Sequence, residues 1–184
     1  MEKRYEERAY VLDFLPYGRG RTRSGYRTGA LVQVIGEAFF TLLEAIAKEG
    51  CILKPCDKIF VGKDKRKEIT YIIGRVSYDE LTANAKMELP GVIEEIILSR
   101  EGRFVNFFNT AHALTPRMHA MELIPGIGKK YMWQIINERE RSLFTDFKNL
   151  QERTNIPDPS KLIAKRIVEE LAGESKYRLF TRAP

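Results

Sequence analysis

The sequence contains few of the residues that metal sites, disulfide frameworks and secretion signals need. Its 184 residues include two cysteines, two histidines and one tryptophan. So few cysteines are typical of a reducing compartment and not of a disulfide-rich secreted protein. No apolar run approaches the roughly 20 residues of a transmembrane helix, and the first residues, MEKRYEER, contain no hydrophobic signal region. We therefore expect a cytoplasmic protein with no membrane partner.

Motifs of the common enzyme classes are also absent. The sequence has no Gly-x-Ser-x-Gly, no His-Glu-x-x-His and no nucleotide-binding glycine loop. Zinc needs four ligands in tetrahedral geometry. Cys51 and Cys56 supply one loose pair, and Pro116 prevents His112 and His119 from sharing one continuous helix. We expect no catalytic residue, no metal and no cofactor.

Positive charge is present in excess and is clustered. The net charge is +6 and the isoelectric point is about 9.3. Residues 54–75 carry seven basic and three acidic side chains, and residues 16–29 carry four arginines and no acid. Clustered positive charge is typical of nucleic-acid binding, whereas evenly spread charge only serves solubility. The four arginines of the acid-free segment are Arg19, Arg21, Arg23 and Arg27.

The acid-free segment, PYGRGRTRSGYRTG, predicts an exposed loop. Glycine, serine and arginine cannot bury a core of their own. Its arginines could pair with phosphates, and Tyr17 or Tyr26 could stack on bases. The alternative is an insertion between two strands with no binding role.

Residues 123–130, LIPGIGKK, form the most informative stretch of the chain. Gly126 and Gly128 can adopt conformations that turn backbone N–H groups outward, on either side of Ile127. A helix that begins after them would favour an anion at its N-terminus, where Lys129 and Lys130 add charge. The stretch predicts a phosphate-binding site, although Pro-Gly-x-Gly between two helices can also be a plain turn.

The flanking residues make this stretch resemble a helix-hairpin-helix motif. Apolar residues over 118–124 predict the first helix, with Thr115 as its cap and Pro116 at its first position, and those over 131–136 predict the second. A short helix from 147 and a longer one after the turn at 154–159 repeat the pattern. The whole resembles a double helix-hairpin-helix domain. The second turn lacks glycines and reads as a structural mate, while Lys161 and Lys165 could still contact a nucleic-acid backbone.

The first hundred residues predict about five strands and several helices. Strands are predicted over 8–15, 30–35 and 103–108, and a hairpin is predicted over 57–62 and 68–76. The tip of that hairpin, KDKRK, could contact phosphate or could be a solvated turn. Helices are predicted over 37–48, 79–87 and 91–100, the last two separated at Pro90. The strand count indicates a small barrel that resembles the OB type.

The prediction is therefore an α+β protein: residues 1–110 form an OB-like domain with an arginine-rich loop, and residues 111–184 form a double helix-hairpin-helix domain. Over nearly its full length the chain resembles the archaeal family DUF655. The matching segments are AYVLDFLPYG at 9–18, residues 121–130, and LIAKRI at 162–167. The resemblance implies this two-part fold and no established reaction. Genes of such proteins tend to neighbour translation and ribosomal-RNA-modification genes, which favours RNA as the partner.

The sequence thus favours a non-catalytic nucleic-acid-binding protein, with RNA preferred to DNA. A protein-interaction adaptor in a nucleic-acid-processing complex is the first alternative. A DNA-binding or DNA-repair accessory protein is the second. An enzyme whose site is not legible in the sequence is the third.

Overall fold

The computed structural model describes residues 5–18, 29–173 and 175–182. The predicted α+β class is confirmed, with a curled antiparallel sheet and five helices in the described part. The strands are β1 (Arg8–Leu15), β2 (Leu31–Gly36), β3 (Leu42–Ala47), β4 (Lys58–Phe60), β5 (Ile69–Arg75), β6 (Ala113–Thr115) and β7 (Met118–His119). The helices are α1 (Ala83–Ser99), α2 (Glu101–Thr110), α3 (Lys129–Arg141), α4 (Phe147–Thr154) and α5 (Pro159–Ala172). Arg19, Arg21, Arg23 and Arg27 lie outside the described residues.

Five strands form a half-barrel in the order β4-β1-β2-β3-β5. Its core is built from alanine, valine, leucine and isoleucine side chains, among them Ala9, Val11, Val34 and Ala45, which are fully buried. The register shifts once between β1 and β2 and twice between β3 and β5. Such bulges bend a strand and increase its twist, which accounts for the curl of the sheet.

The helix predicted over residues 37–48 is wrong, because this segment is a turn followed by β3. The carboxylate of Glu6 accepts three backbone N–H groups of the turn, those of Ala38, Phe39 and Thr41. Phe40 has a positive φ of 55°. A right-handed helix needs a φ of about −63° at every residue, so the segment cannot be helical at Phe40.

The hairpin predicted around KDKRK is also wrong. β4 pairs with β1 and β5 pairs with β3, so the two strands lie at opposite edges of the sheet. The residues between them form a long basic connection. It is fixed at Arg66, whose Nε donates to the Gly62 carbonyl at 2.8 Å and whose carbonyl accepts a hydrogen bond from Lys48 Nζ.

Three further predictions of local structure are wrong. α1 passes through Pro90 without a break, and residues 103–108 belong to α2 and not to a strand. Residues 118–124, predicted as a helix capped by Thr115, instead form β7 and a 3₁₀ turn over Ala120–Leu123.

Contacts divide the chain into two compact units. Unit 1 comprises Met1–Val92 and Glu170–Pro184, and unit 2 comprises Ile93–Glu169. Unit 1 contains the half-barrel. Unit 2 contains α2, the β6–β7 hairpin, α3 and α4. The predicted boundary after residue 110 falls inside unit 2, and the assignment of one domain to each side of it stays a prediction.

Candidate functional site

The segment at 125–130 is a tight turn that leads directly into α3. The Ile127 N–H donates to the Ile124 carbonyl at 3.0 Å, with Pro125 second and Gly126 third in the turn. Gly126 has φ +92°, as the third position of a type II turn requires. Ile124 and Ile127 are buried and anchor the turn. The N–H of Ile127 is therefore already used, although the sequence assigns it to a phosphate.

The N-terminus of α3 carries no side-chain cap. Gly128 is the N-cap residue, and its carbonyl accepts the first helical hydrogen bond, from Met132 N at 3.0 Å. The N–H groups of Gly128, Lys129, Lys130 and Tyr131 precede that bond and have no partner within the helix. No acidic residue occupies the first turn, and Gly128, Lys129 and Lys130 are exposed. This end of α3 can bind an anion.

The helices that follow in unit 2 begin differently, because each has its own carboxylate at its N-terminus. Asp146 accepts the Asn149 N–H of α4 at 2.7 Å. This hydrogen bond, followed by that of the Thr145 hydroxyl, lowers the pKa of Asp146. At α5, Asp158 accepts the hydroxyl of Ser160 at 2.7 Å and lies 3.5 Å from the Lys161 N–H. An external anion would be repelled at either end.

α5 lies directly against the 125–130 turn. A Cβ placed on Gly126 would stand 3.0 Å from Leu162 Cδ2, so a side chain here would require Leu162 to shift slightly as well as a strained positive φ. Lys161 directly precedes Leu162, Lys165 follows it by three residues, and both lysines are exposed. Lys161 Nζ lies 3.8 Å from the Asp158 carboxylate, which offsets part of its charge.

Two arginines of unit 2 serve the fold. Arg139 donates to the carbonyls of Phe108 and Ala111, at 3.0 and 2.7 Å, and so satisfies the end of α2. Arg153 donates to the carbonyls of Glu138 and Ser142 at the end of α3. Cations at helix C-termini bind otherwise unpaired carbonyls. These side chains are therefore engaged within the protein.

Comparison with known proteins gives the family. The chain matches DUF655, described as a protein of unknown function, over residues 5–182. This chain belongs to the DUF655 family. The uncharacterised protein MJ0038 of Methanocaldococcus jannaschii is 40% identical over 182 residues, which are 98% of this chain and 82% of that protein. The crystal structure of Af1531 from Archaeoglobus fulgidus, another DUF655 protein, matches with a TM-score of 0.88 and 43% identity, over 96% of this chain and 100% of that chain. The predicted family resemblance is confirmed.

One exposed aromatic residue of this DUF655 member was missed by the sequence reasoning. Trp133 is 58% exposed and lies four residues after Lys129 on α3, so the two share a helix face. It is the only tryptophan in the chain, and it falls outside the buried positions of α3, Met132 and Ile135. The sequence does contain a signal for Trp133: it is an aromatic residue outside the apolar stripe of α3 and one helical turn from the lysines.

The 3₁₀ turn before residue 125 depends on His119. The Met121 N–H donates to His119 Nδ1 at 3.1 Å, and the His119 N–H donates to the Glu122 carboxylate at 2.8 Å. Burial, followed by the charge of Arg139, lowers the pKa of His119. The neutral form is thereby favoured, and only that form leaves Nδ1 free to accept the Met121 N–H.

Within the described ranges no three His, Cys, Asp or Glu side chains come together as metal ligands would. Neither of the two described cysteines, Cys51 and Cys56, is in a disulfide. Over the same residues, no helix is long and apolar enough to span a membrane.

Proposed function

We propose that this protein binds the phosphate backbone of nucleic acid, with RNA preferred to DNA, and that it does so without catalysis. The observation that carries the proposal is the contrast among the N-termini of α3, α4 and α5. Those of α4 and α5 hold their own carboxylates, whereas that of α3 is uncapped, exposed and followed by Lys129 and Lys130. The donors are the N–H groups of Gly128 and the first turn of α3.

The helix-hairpin-helix and OB-like assignments are part of the same proposal. The 3₁₀ turn, the 125–130 turn and α3 would form a helix-hairpin-helix with a short first helix, and α4 with α5 would form its structural mate. For unit 1, the strand order 4-1-2-3 is that of a Greek key, with β5 added beside β3. A five-stranded, partly open Greek-key barrel is the OB architecture, which supports an OB-like assignment.

Gly128→Asp separates binding from folding. Gly128 has φ −87° and ψ −175°, and no atom of the described residues lies within 4 Å of a Cβ built on it. Aspartate fits this conformation and caps helices well, so the variant should fold at least as stably as the wild type. Its carboxylate would occupy the place of the phosphate, and we expect affinity to fall by at least about tenfold, a loss of about 1.4 kcal/mol.

The measurement is fluorescence anisotropy with matched single- and double-stranded RNA and DNA at several salt concentrations. Lys130→Gln should reduce the slope of log K against log salt by about 0.7 to 0.9, the value for one phosphate. Lys148→Gln is the matched control, because Lys148 is the second residue of α4 as Lys130 is of α3. Salt-independent binding, or equal effects of the two variants, would contradict the proposal.

The same titrations decide between the alternatives. Preference for DNA in every strand form would favour a DNA-binding or DNA-repair accessory role. If the folded wild type binds no nucleic acid, the protein-interaction adaptor becomes the better interpretation, with Trp133 as an exposed aromatic contact for a partner protein.

A further inference from the structure

Unit 1 has an open basic groove along the edge strand β4. Its volume is 570 Å³, and it is lined by Arg8, Lys58, Phe60, Lys65, Lys67 and Glu68, among others. Pockets that bind small molecules cover about 300 to 1,000 Å³. We call this the β4 groove. None of its described lining residues belongs to the 125–130 turn.

The strand register brings the first three of these side chains together. β4 pairs with β1 so that Phe60 stands opposite Arg8 and Lys58 stands opposite Tyr10. Residues directly opposite each other in antiparallel strands share a face of the sheet, as do residues two apart in one strand. Arg8, Lys58 and Phe60 therefore point to the same side.

The other two lysines come from the connection between β4 and β5. Lys65 and Lys67 flank Arg66, which is tied to the Gly62 carbonyl and to Lys48. Because the residue between them is hydrogen-bonded on both sides, the backbone that carries the two lysines is held at the edge of the groove.

The charges in the groove are only partly neutralised. Lys58 forms an ion pair with Glu37 at 2.8 Å, and Glu68 adds one acid to the lining. Among the described residues, no hydrogen bond or ion pair engages the side chains of Arg8, Lys65 or Lys67. Three cations converge without carboxylate partners, which favours a ligand with several negative charges.

The ring of Phe60 has a fixed position. A Cβ on Gly62 would lie 2.6 Å from Phe60 Cζ, so the ring packs directly on the backbone of Gly62. The side chain is half-buried, not exposed. A positive groove with an aromatic ring is the arrangement by which proteins hold single-stranded nucleic acid: lysines follow the phosphates, and a base stacks on the ring.

We propose that the β4 groove binds single-stranded nucleic acid, with phosphates at Arg8, Lys65 and Lys67 and one base against Phe60. This inference rests on the proposed function and adds a second contact surface that is specific for unpaired strands. A duplex keeps its bases stacked on each other, so it cannot offer one to Phe60.

The test uses the full chain, a short single-stranded oligonucleotide and its blunt duplex, titrated by anisotropy over a salt series. Lys65→Gln/Lys67→Gln should reduce the single-strand salt slope by about 1.4, the value for two phosphates. Lys63→Gln is the matched control, since Lys63 lies in the same connection with its ammonium over the Tyr5 ring, 4.7 Å from its centre, and does not line the groove. It should leave the slope unchanged.

Phe60→Leu tests the stacking contact. It should weaken single-strand binding about fivefold or more, leave the salt slope unchanged and leave duplex binding unaffected. If this variant does not fold, the exposed lysine variants alone decide the question. Equal effects of Lys63→Gln and the Lys65/Lys67 variant would overturn the proposal, as would equal losses for single strand and duplex in the folded Phe60→Leu variant.

Gly128→Asp in the same series separates the two proposals. Loss of binding in Gly128→Asp with none in the groove variants would support the 125–130 turn and overturn the groove. The reverse result would support the groove and overturn the turn. Absence of binding by the wild type would overturn both.

Discussion

Gly126 and Gly128 are two positions apart in the 125–130 turn, and their backbones have different requirements. Gly126 needs a positive φ and a close approach to Leu162, whereas Gly128 has an ordinary conformation and open space around it. The Gly-x-Gly spacing identifies the turn, but it does not say which glycine is structural. That distinction depends on a contact with α5, more than thirty residues later in the chain.

Alanine substitutions should separate the two glycines. We expect Gly126→Ala to lower the free energy of unfolding by about 1 to 3 kcal/mol, because alanine is strained at this positive φ and would make a tight contact with Leu162. Gly128→Ala should cost no more than about 1 kcal/mol, because alanine is a poorer N-cap than glycine but adopts this backbone conformation without strain. Urea unfolding of the two variants measures the difference, and equal losses would show that the turn does not depend on Gly126.

His119 should make stability depend on pH. Its pKa is lowered in the fold from the ordinary value of 6.5. Its contribution to stability is therefore complete above pH 6.5 and is lost as the pH falls from there towards the lowered value in the fold, where the unfolded chain binds the proton first. The slope from one such group is at most about 1.4 kcal/mol per pH unit.

His119→Asn provides the comparison, since asparagine can accept the Met121 N–H and does not titrate. The free energy of unfolding of this variant should fall less steeply below pH 6.5 than that of the wild type. Urea unfolding at several pH values measures both slopes. If the free energy of unfolding has the same pH dependence in both proteins, His119 does not contribute to that dependence.

At the scale of elements, the sequence predicts α3, α4 and α5 well and the first half less well. The apolar stripe of α3 is regular, and α4 has a capping aspartate. β3 is buried at nearly every position, so its pattern fits the period of a helix as well as that of a strand. The alternation at 103–108 suggested a strand, but buried Phe104, Val105 and Phe108 have helical spacing.

α1 shows how burial overrides a local signal. Pro90 removes one helical hydrogen bond and costs about 3 kcal/mol. The buried side chains on both sides of it, Leu89, Val92, Ile93, Ile96 and Ile97, are each worth about 1.5 to 3 kcal/mol. Continuing the helix through Pro90 therefore costs less free energy than exposing half of these side chains. The sequence alone does not show this, because the burial of the side chains depends on the tertiary structure.

Pro90→Ala follows from this comparison. Pro90 is exposed, and alanine restores the missing N–H, so the variant should be more stable than the wild type by up to about 3 kcal/mol. Thermal and urea unfolding both report the change. A less stable variant would mean that α1 gains more from the proline ring than it loses with the missing hydrogen bond.

At the scale of the whole molecule, one buried carboxylate holds the end of the described chain. Glu170 is fully buried and accepts the N–H groups of Leu179, Phe180 and Thr181. Arg178 donates to the Glu170 and Gly173 carbonyls at the end of α5, and Arg182 stacks over Phe39, 3.8 Å from its ring centre. No local pattern in the sequence reveals this attachment.

Glu170→Gln should loosen residues 175–182. Hydrogen bonds to a charged group contribute about 1.5 to 3 kcal/mol each, and the variant weakens several of them. Limited trypsin digestion should cleave after Lys176 and Arg178 faster than in the wild type. Glu169→Gln is the matched control, because Glu169 is exposed and lies beside Arg166 at 3.8 Å. Equal cleavage of both variants would contradict this prediction.

The composition of unit 1 from two distant segments has a consequence during protein synthesis. The 77 residues of Ile93–Glu169 are translated between the half-barrel and the segment that completes its unit. At about 5 to 20 residues per second, that interval lasts roughly 4 to 15 seconds. During this time Phe39 of the nascent half-barrel lacks Arg182, which stacks over its ring in the complete protein. Unit 2 is continuous in sequence and can finish folding in the same interval. Unit 2 begins to be translated after the half-barrel, yet all of its residues are available for folding before those of unit 1.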